Sequence, residues 1–119
     1  MKRDMNLVRE ILLALEADTE RGLIDLTIDG FSVDEVSYHV KIMAEAHLLE
    51  AIDASSHDGD DWRAAGLTWQ GHEFFDAVRN DTVWRKTKQL IAEKGGAIPF
   101  EILKGLVMKI ATSSFESAS

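Results

Sequence analysis

The segment from Phe31 to Trp69 restricts what this chain can fold into more than any other. Ser32 followed by Glu35 is a capping box, in which the serine hydroxyl takes the N3 amide and the glutamate reaches back to the cap. Phe31 and Val36 supply the hydrophobic staple that goes with it. Behind that start signal Val36, His39, Val40, Met43 and His47 share one face at helical spacing, and Asp34, Ser37, Tyr38, Lys41 and Glu45 share the other. Leu48 to Ala54 then reads as a short strand, Ser55 to Asp61 as a turn-rich acidic loop, and Trp62 to Leu67 as a second strand. Asp58-Gly59 lies between the strands and is a common hairpin-turn dipeptide.

The flanks are mainly helical. Val8, Ile11, Leu12 and Leu15 make one apolar stripe, so residues 4–17 predict a helix, with Gly22 as a plausible stop. Ile24, Leu26 and Ile28 alternate with Asp25, Thr27 and Asp29, which predicts a half-exposed strand ending at Gly30. Thr68 caps a helix through WQGHEFFDAVRN, and Asn80 or Asp81 caps another through VWRKTKQLIAEK, stopped by Gly95-Gly96. Pro99 fits the first turn of a last helix striped by Phe100, Leu103, Val107 and Ile110. At 119 residues and 45% hydrophobic, the chain suits a single domain. We expect a core over 1–79, a helical extension over 80–112 and a frayed tail over 113–119. The expected fold class is α+β, with additional C-terminal helices.

Charge and residue types narrow the function classes. The net charge of −8 is uneven: residues 1–67 hold 15 acidic and 6 basic side chains, residues 68–119 hold 6 and 7. Nucleic acid is gripped through Lys and Arg, so the acidic half argues against a strong phosphate contact. Arg85, Lys86 and Lys88, with Arg79 upstream, form a secondary basic patch suited to phosphates or an acidic partner, against the plainer reading of a solvated helix face. The absence of cysteine excludes disulfides, thiolate metal sites and a cysteine nucleophile. No Gly-x-Ser-x-Gly elbow or Lys-Ser/Thr phosphate loop is present, and we expect no enzyme activity and no cofactor. The acidic hairpin tip around His57 and Asp58 lacks the spacing of a calcium loop, and no metal site is expected. Glu35–His39 and His72–Asp76 are i,i+4 pairs, which read as ordinary helical contacts more readily than as acid–base couples. Trp62 and Trp69 read as cover for the core beneath the hairpin. With no apolar run near the roughly 20 residues a bilayer demands, and no cleavable leader, a cytoplasmic location is expected.

A helix followed by a hairpin is the heart of a winged-helix domain, and two resemblances bear on that. VSYHVKIMAEAHLLEA resembles the reading helix and strand of winged-helix repressors of the arsenic-responsive kind, which show Ser-x-His, a Lys two residues on and an Ala-Gly-Leu close. Here Ser37, His39 and Lys41 match, and Ala46-His47-Leu48 has histidine at the glycine position. Over nearly its whole length, above all in LTWQGHEFFDAVRNDTVWRKTK, the chain resembles an uncharacterised family of bacterial and prophage proteins. That resemblance implies a small winged-helix-like domain of phage association and assigns no activity. The expectation is a non-catalytic regulatory module that contacts DNA through Ser37, Tyr38, Lys41 and Arg63. The alternative is an adaptor that contacts protein through the same surface, with self-association through the C-terminal helices as a further expectation.

Overall fold

The computed structural model describes residues 1–17, 26–96 and 98–117. Along the chain run α1 (Met5–Ala17), α2 (Val33–Glu45), β1 (Leu49–Asp53), β2 (Trp62–Leu67), α3 (Trp69–Val78), α4 (Asp81–Glu93) and α5 (Phe100–Ser117). The fold class is α+β, with one two-stranded antiparallel sheet among the described residues. Two compact units are formed, Met1–His72 and Glu73–Ser119. No helix among the described residues is long and apolar enough to cross a membrane.

In the first unit α1 buries Leu7, Val8, Ile11, Leu12 and Leu15, the expected stripe, and packs on α2 and β2. Burying each such side chain is worth about 1.5–3 kcal/mol. The start of α2 is the capping box read from sequence: the Glu35 N–H donates to Ser32 Oγ at 3.1 Å, and the Ser32 N–H donates to Glu35 Oε1 at 2.9 Å. The Ser32 backbone and hydroxyl donors hold the Glu35 carboxyl below its usual range. The contribution of this bond is therefore present at neutral pH and is lost as acid protonates the carboxylate.

Two polar side chains on α2 point inward and bind elements distant in sequence. His39 is 1% exposed, and its Nε2 accepts the Asp4 backbone N–H at 2.8 Å. A backbone N–H only donates, so the ring proton sits on Nδ1, which donates to the Glu35 carbonyl at 2.8 Å. Ser37 is 6% exposed, and its Oγ accepts the Trp62 backbone N–H at 2.8 Å. His39 thus joins α2 to the residues just before α1, and Ser37 joins it to β2.

The end of α2 sets the angle at which the hairpin leaves. The His47 N–H donates to the Ala44 carbonyl and the Leu48 N–H to the Met43 carbonyl, both at 3.0 Å, which is a Schellman termination. His47 takes φ +63°, the left-handed position that glycine fills most easily. The α4 terminus repeats the motif with Gly95 at φ +80° in the corresponding place. Residues 68–71 then close over the corner: the Thr68 N–H donates to the Leu48 carbonyl at 3.1 Å, the Thr68 hydroxyl to the His47 carbonyl, and the Gly71 N–H to Thr68 Oγ1 at 3.0 Å. A Cβ at Gly71 would lie 1.8 Å from the Leu48 carbonyl oxygen, so only glycine allows this approach.

The hairpin pairs Leu49 with Leu67, Ala51 with Ala64 and Asp53 with Trp62, with an irregularity between Glu50 and Ala51 that leaves Ala65 as the extra residue. At its tip Ser56 and Gly59 exchange two backbone hydrogen bonds around His57-Asp58, so Gly59 follows the central pair of the turn instead of belonging to it. The strand expected at 24–29 is corrected where it can be seen. Leu26 to Asp29 carry no strand, and the chain turns at Asp29-Gly30; Ile24, Asp25 and the expected stop at Gly22 lie outside the described residues. Leu26 and Ile28 are still half-buried and Thr27 and Asp29 exposed, so the alternation marks sidedness without a partner strand to pair with.

In the second unit the core holds Phe74, Phe75, Val78, Val83, Trp84, Thr87, Ile98, Leu103 and Val107. Asn80 caps α4 by accepting the Thr82 and Val83 N–H groups at 2.9 and 3.1 Å. Pro99 lies one residue before α5 and supplies the first carbonyl of that helix to the Leu103 N–H. The helix itself runs on to Ser117, past the expected end of the extension at 112.

Three substitutions test this architecture in chemical denaturation. Gly71→Ala should lose about 2–3 kcal/mol or more, as forced overpacking against backbone does. His47→Gly should gain about 1 kcal/mol by removing the left-handed penalty. His39→Ala should lose about 3 kcal/mol, from the cavity and from the unpaired Asp4 N–H.

Candidate functional site

The surface singled out by the sequence is the outward side of α2 together with the β1–β2 hairpin, all within the first unit. Its four expected contact residues have different fates. Ser37 does not face outward: its hydroxyl is spent on the Trp62 amide, which removes it from the contact set. Sequence placed it on the polar face because it carries a hydroxyl, and burial was decided by a partner 25 positions away. Arg63 is half-exposed but folded onto Asp61 of its own hairpin, with Nε and Nη2 both 3.1 Å from Oδ2. Tyr38 is half-buried, its ring edge-on to His39 at 5.7 Å between centroids. Lys41 is half-buried as well, and its charge acts on Asp53.

The electrostatics of the face follow from this pairing. From Val33 to Leu67 the chain holds eight acidic side chains and two basic ones, Lys41 and Arg63. Asp34, Glu45, Glu50, Asp53, Asp58 and Asp60 are exposed. Asp53 is held ionised below its usual range by the Ser55 side chain and backbone N–H, with Lys41 adding a smaller pull in the same direction. The face carries an excess of negative charge: Arg63 is paired with Asp61, and Lys41 acts on Asp53.

Sequence reasoning missed the apolar part of this face. Val33, at the first position of α2, is 77% exposed, and Ile52 on the hairpin is also exposed. Between α2 and β2 runs a narrow cleft lined by Leu26, Val33, Val36, Val40, Asp61 and Trp62, of about 20 Å³. That is room for about one water, far below the ~300 Å³ at which small-molecule pockets begin. The signal for Val33 was available: an apolar residue directly after the cap, off the buried stripe. Trp69 was expected to cover the core and instead stands exposed at the start of α3.

The secondary patch lies in the second unit. Arg85, Lys86 and Lys88 are exposed on α4, opposite buried Val83, Trp84 and Thr87. Arg85 reaches Thr82 Oγ1 at 3.4 Å. Arg79 lies over the Phe75 ring at 5.1 Å and 4.0 Å from Asp76.

The two i,i+4 pairs do not form couples. The His39 ring bonds the Glu35 carbonyl, not its carboxylate, which is engaged at Ser32. His72 Nδ1 lies 3.5 Å from Glu16, and Asp76 turns to Arg79. Among the described residues no three His, Asp or Glu side chains converge in a way that would hold a metal ion.

Comparison with known proteins places the chain in a family. Residues 2–97 match the family described as Hypothetical protein (DUF2513). A protein of Haemophilus influenzae, described as uncharacterised, is 44% identical over 112 residues, covering 92% of this chain and 95% of its own. No solved structure matches the chain. With four-fifths of its length inside the family's bounds and a relative alike from end to end, the chain belongs to the DUF2513 family.

Proposed function

We propose that this chain is a non-catalytic, winged-helix-like regulatory or adaptor module that contacts a protein partner through the outward face of α2 and the β1–β2 hairpin. The observation that carries this reading is the fate of the Ser-x-His-x-Lys pattern. Ser37 and His39, which tipped the sequence toward DNA, are buried ties to β2 and to the start of α1. What is left exposed on these elements is mostly carboxylate, with Val33 and Ile52 exposed and Tyr38 half-buried, a composition suited to a basic, partly apolar protein surface.

A second reading, DNA contact through Tyr38 and Lys41, is favoured by the order α2, β1, β2, in which a helix leads directly into a hairpin. It rests on fold analogy, and the charge of the face opposes it.

The two readings separate in one pair of titrations at low salt. Mixed duplex DNA should give no binding at ~50 μM protein, inside the usual non-specific range. Binding that is abolished by Lys41→Glu would restore the DNA reading. In affinity capture a partner retained by the wild type should be lost on Val33→Asp or Tyr38→Ala, while both variants keep their unfolding midpoints. A partner retained equally by all three would contradict the assigned face.

A further inference from the structure

We infer that α5 is the seam of a two-fold symmetric dimer, in which α5 of one copy lies antiparallel against α5 of a second copy and the two cross at Gly105. This goes beyond the α2–hairpin reading and uses only residues of the second unit.

The first observation is a glycine that no contact among the described residues requires. Gly105 sits mid-helix, where glycine is less favourable than alanine. It is exposed, its backbone is ordinary helix, and a Cβ built there meets nothing within 4 Å among the described residues. Neither a turn nor an internal close approach explains it. A close approach from outside does, because a bare backbone lets two helices cross at the short end of the usual ~8–10 Å separation.

The second observation is what surrounds it. Of the apolar residues on α5, Leu103 and Val107 are buried, whereas Ile102 is 57% exposed and Leu106, Met108 and Ile110 are half-exposed. Ile102 lies three residues before Gly105 and Met108 three after, so an antiparallel crossing at the glycine sets Ile102 of each copy against Met108 of the other.

The third observation is charge, and it selects both occupant and direction. Glu101 and Lys109 are exposed four residues on either side of Gly105. Antiparallel crossing of two copies brings Glu101 of each against Lys109 of the other, two complementary pairs from one sequence. A parallel crossing would set like against like. A surface that complements itself about a two-fold axis is the mark of an isologous interface between identical chains.

The test is sedimentation equilibrium of the full chain across the micromolar range. The wild type should dimerise reversibly. Glu101→Lys alone and Lys109→Glu alone should each weaken dimerisation about tenfold or more, since each turns two attractive pairs repulsive. An equimolar mixture of the two variants should recover wild-type association as a heterodimer, since every facing pair is then opposite in sign. Gly105→Ala should weaken dimerisation while raising the unfolding midpoint of the dilute monomer, and this distinguishes loss of the seam from loss of the fold. A wild type that stays monomeric throughout, single variants that associate as the wild type does, or a mixture that fails to recover would each overturn the assignment.

Discussion

The first unit depends on the corner between α2 and β1. There the chain leaves a helix, turns through a left-handed histidine and enters a strand, and four carbonyls at that turn are all met. The helix carbonyls of Met43 and Ala44 are taken by the turn's own amides, and the carbonyls of His47 and Leu48 by Thr68. Gly71 then lets the start of α3 lie against the Leu48 carbonyl. A Cβ at that one position cannot be accommodated without moving backbone. The hairpin's exit angle, and with it the face that α2 and the hairpin share, follows from this arrangement.

Two further ties hold α2 in its rotation about its own axis. Ser37 is fixed to the Trp62 amide on one side and His39 to the Asp4 amide on the other. Both side chains are buried and each bond has a definite donor and acceptor, so they specify orientation more than they add net stability. Their consequence for function is exclusion. Ser37, expected on the outward face, is turned inward, and the exposed surface of α2 and the hairpin is carboxylate-rich, with Val33 and Ile52 also exposed. On the proposed reading, long-range electrostatics on such a face would favour basic partners over polyanions.

Much of the backbone was legible because its punctuation is chemical. Ser32 with Glu35, Thr68 with the amide three residues on, and Asn80 with two amides are local contacts whose donors and acceptors lie within three residues. The second strand was bounded correctly for a similar reason, between an acidic turn and a capping threonine. Periodicity was less reliable. IDLTID alternates as a strand does, and over Leu26 to Asp29 it alternates in exposure, but a strand also needs a neighbour to bond, which no single-sequence period reveals. The inward turn of Ser37 was out of reach for the same reason, since the amide that takes its hydroxyl belongs to β2. His39 was legible as a member of the apolar face of α2, though not its partner. The site itself was half legible: its elements and its sign of charge could be read, while its apolar members and the pairing of Arg63 with Asp61 could not.

The central claim, that Ser37 and His39 are internal ties and not contact residues, is tested most directly by amide hydrogen exchange followed by NMR. The account predicts that the backbone amides of Asp4 and Trp62, both outside helix ladders and bonded to those two side chains, exchange far more slowly than open chain. Exchange of both at the open-chain rate in the folded protein would contradict it.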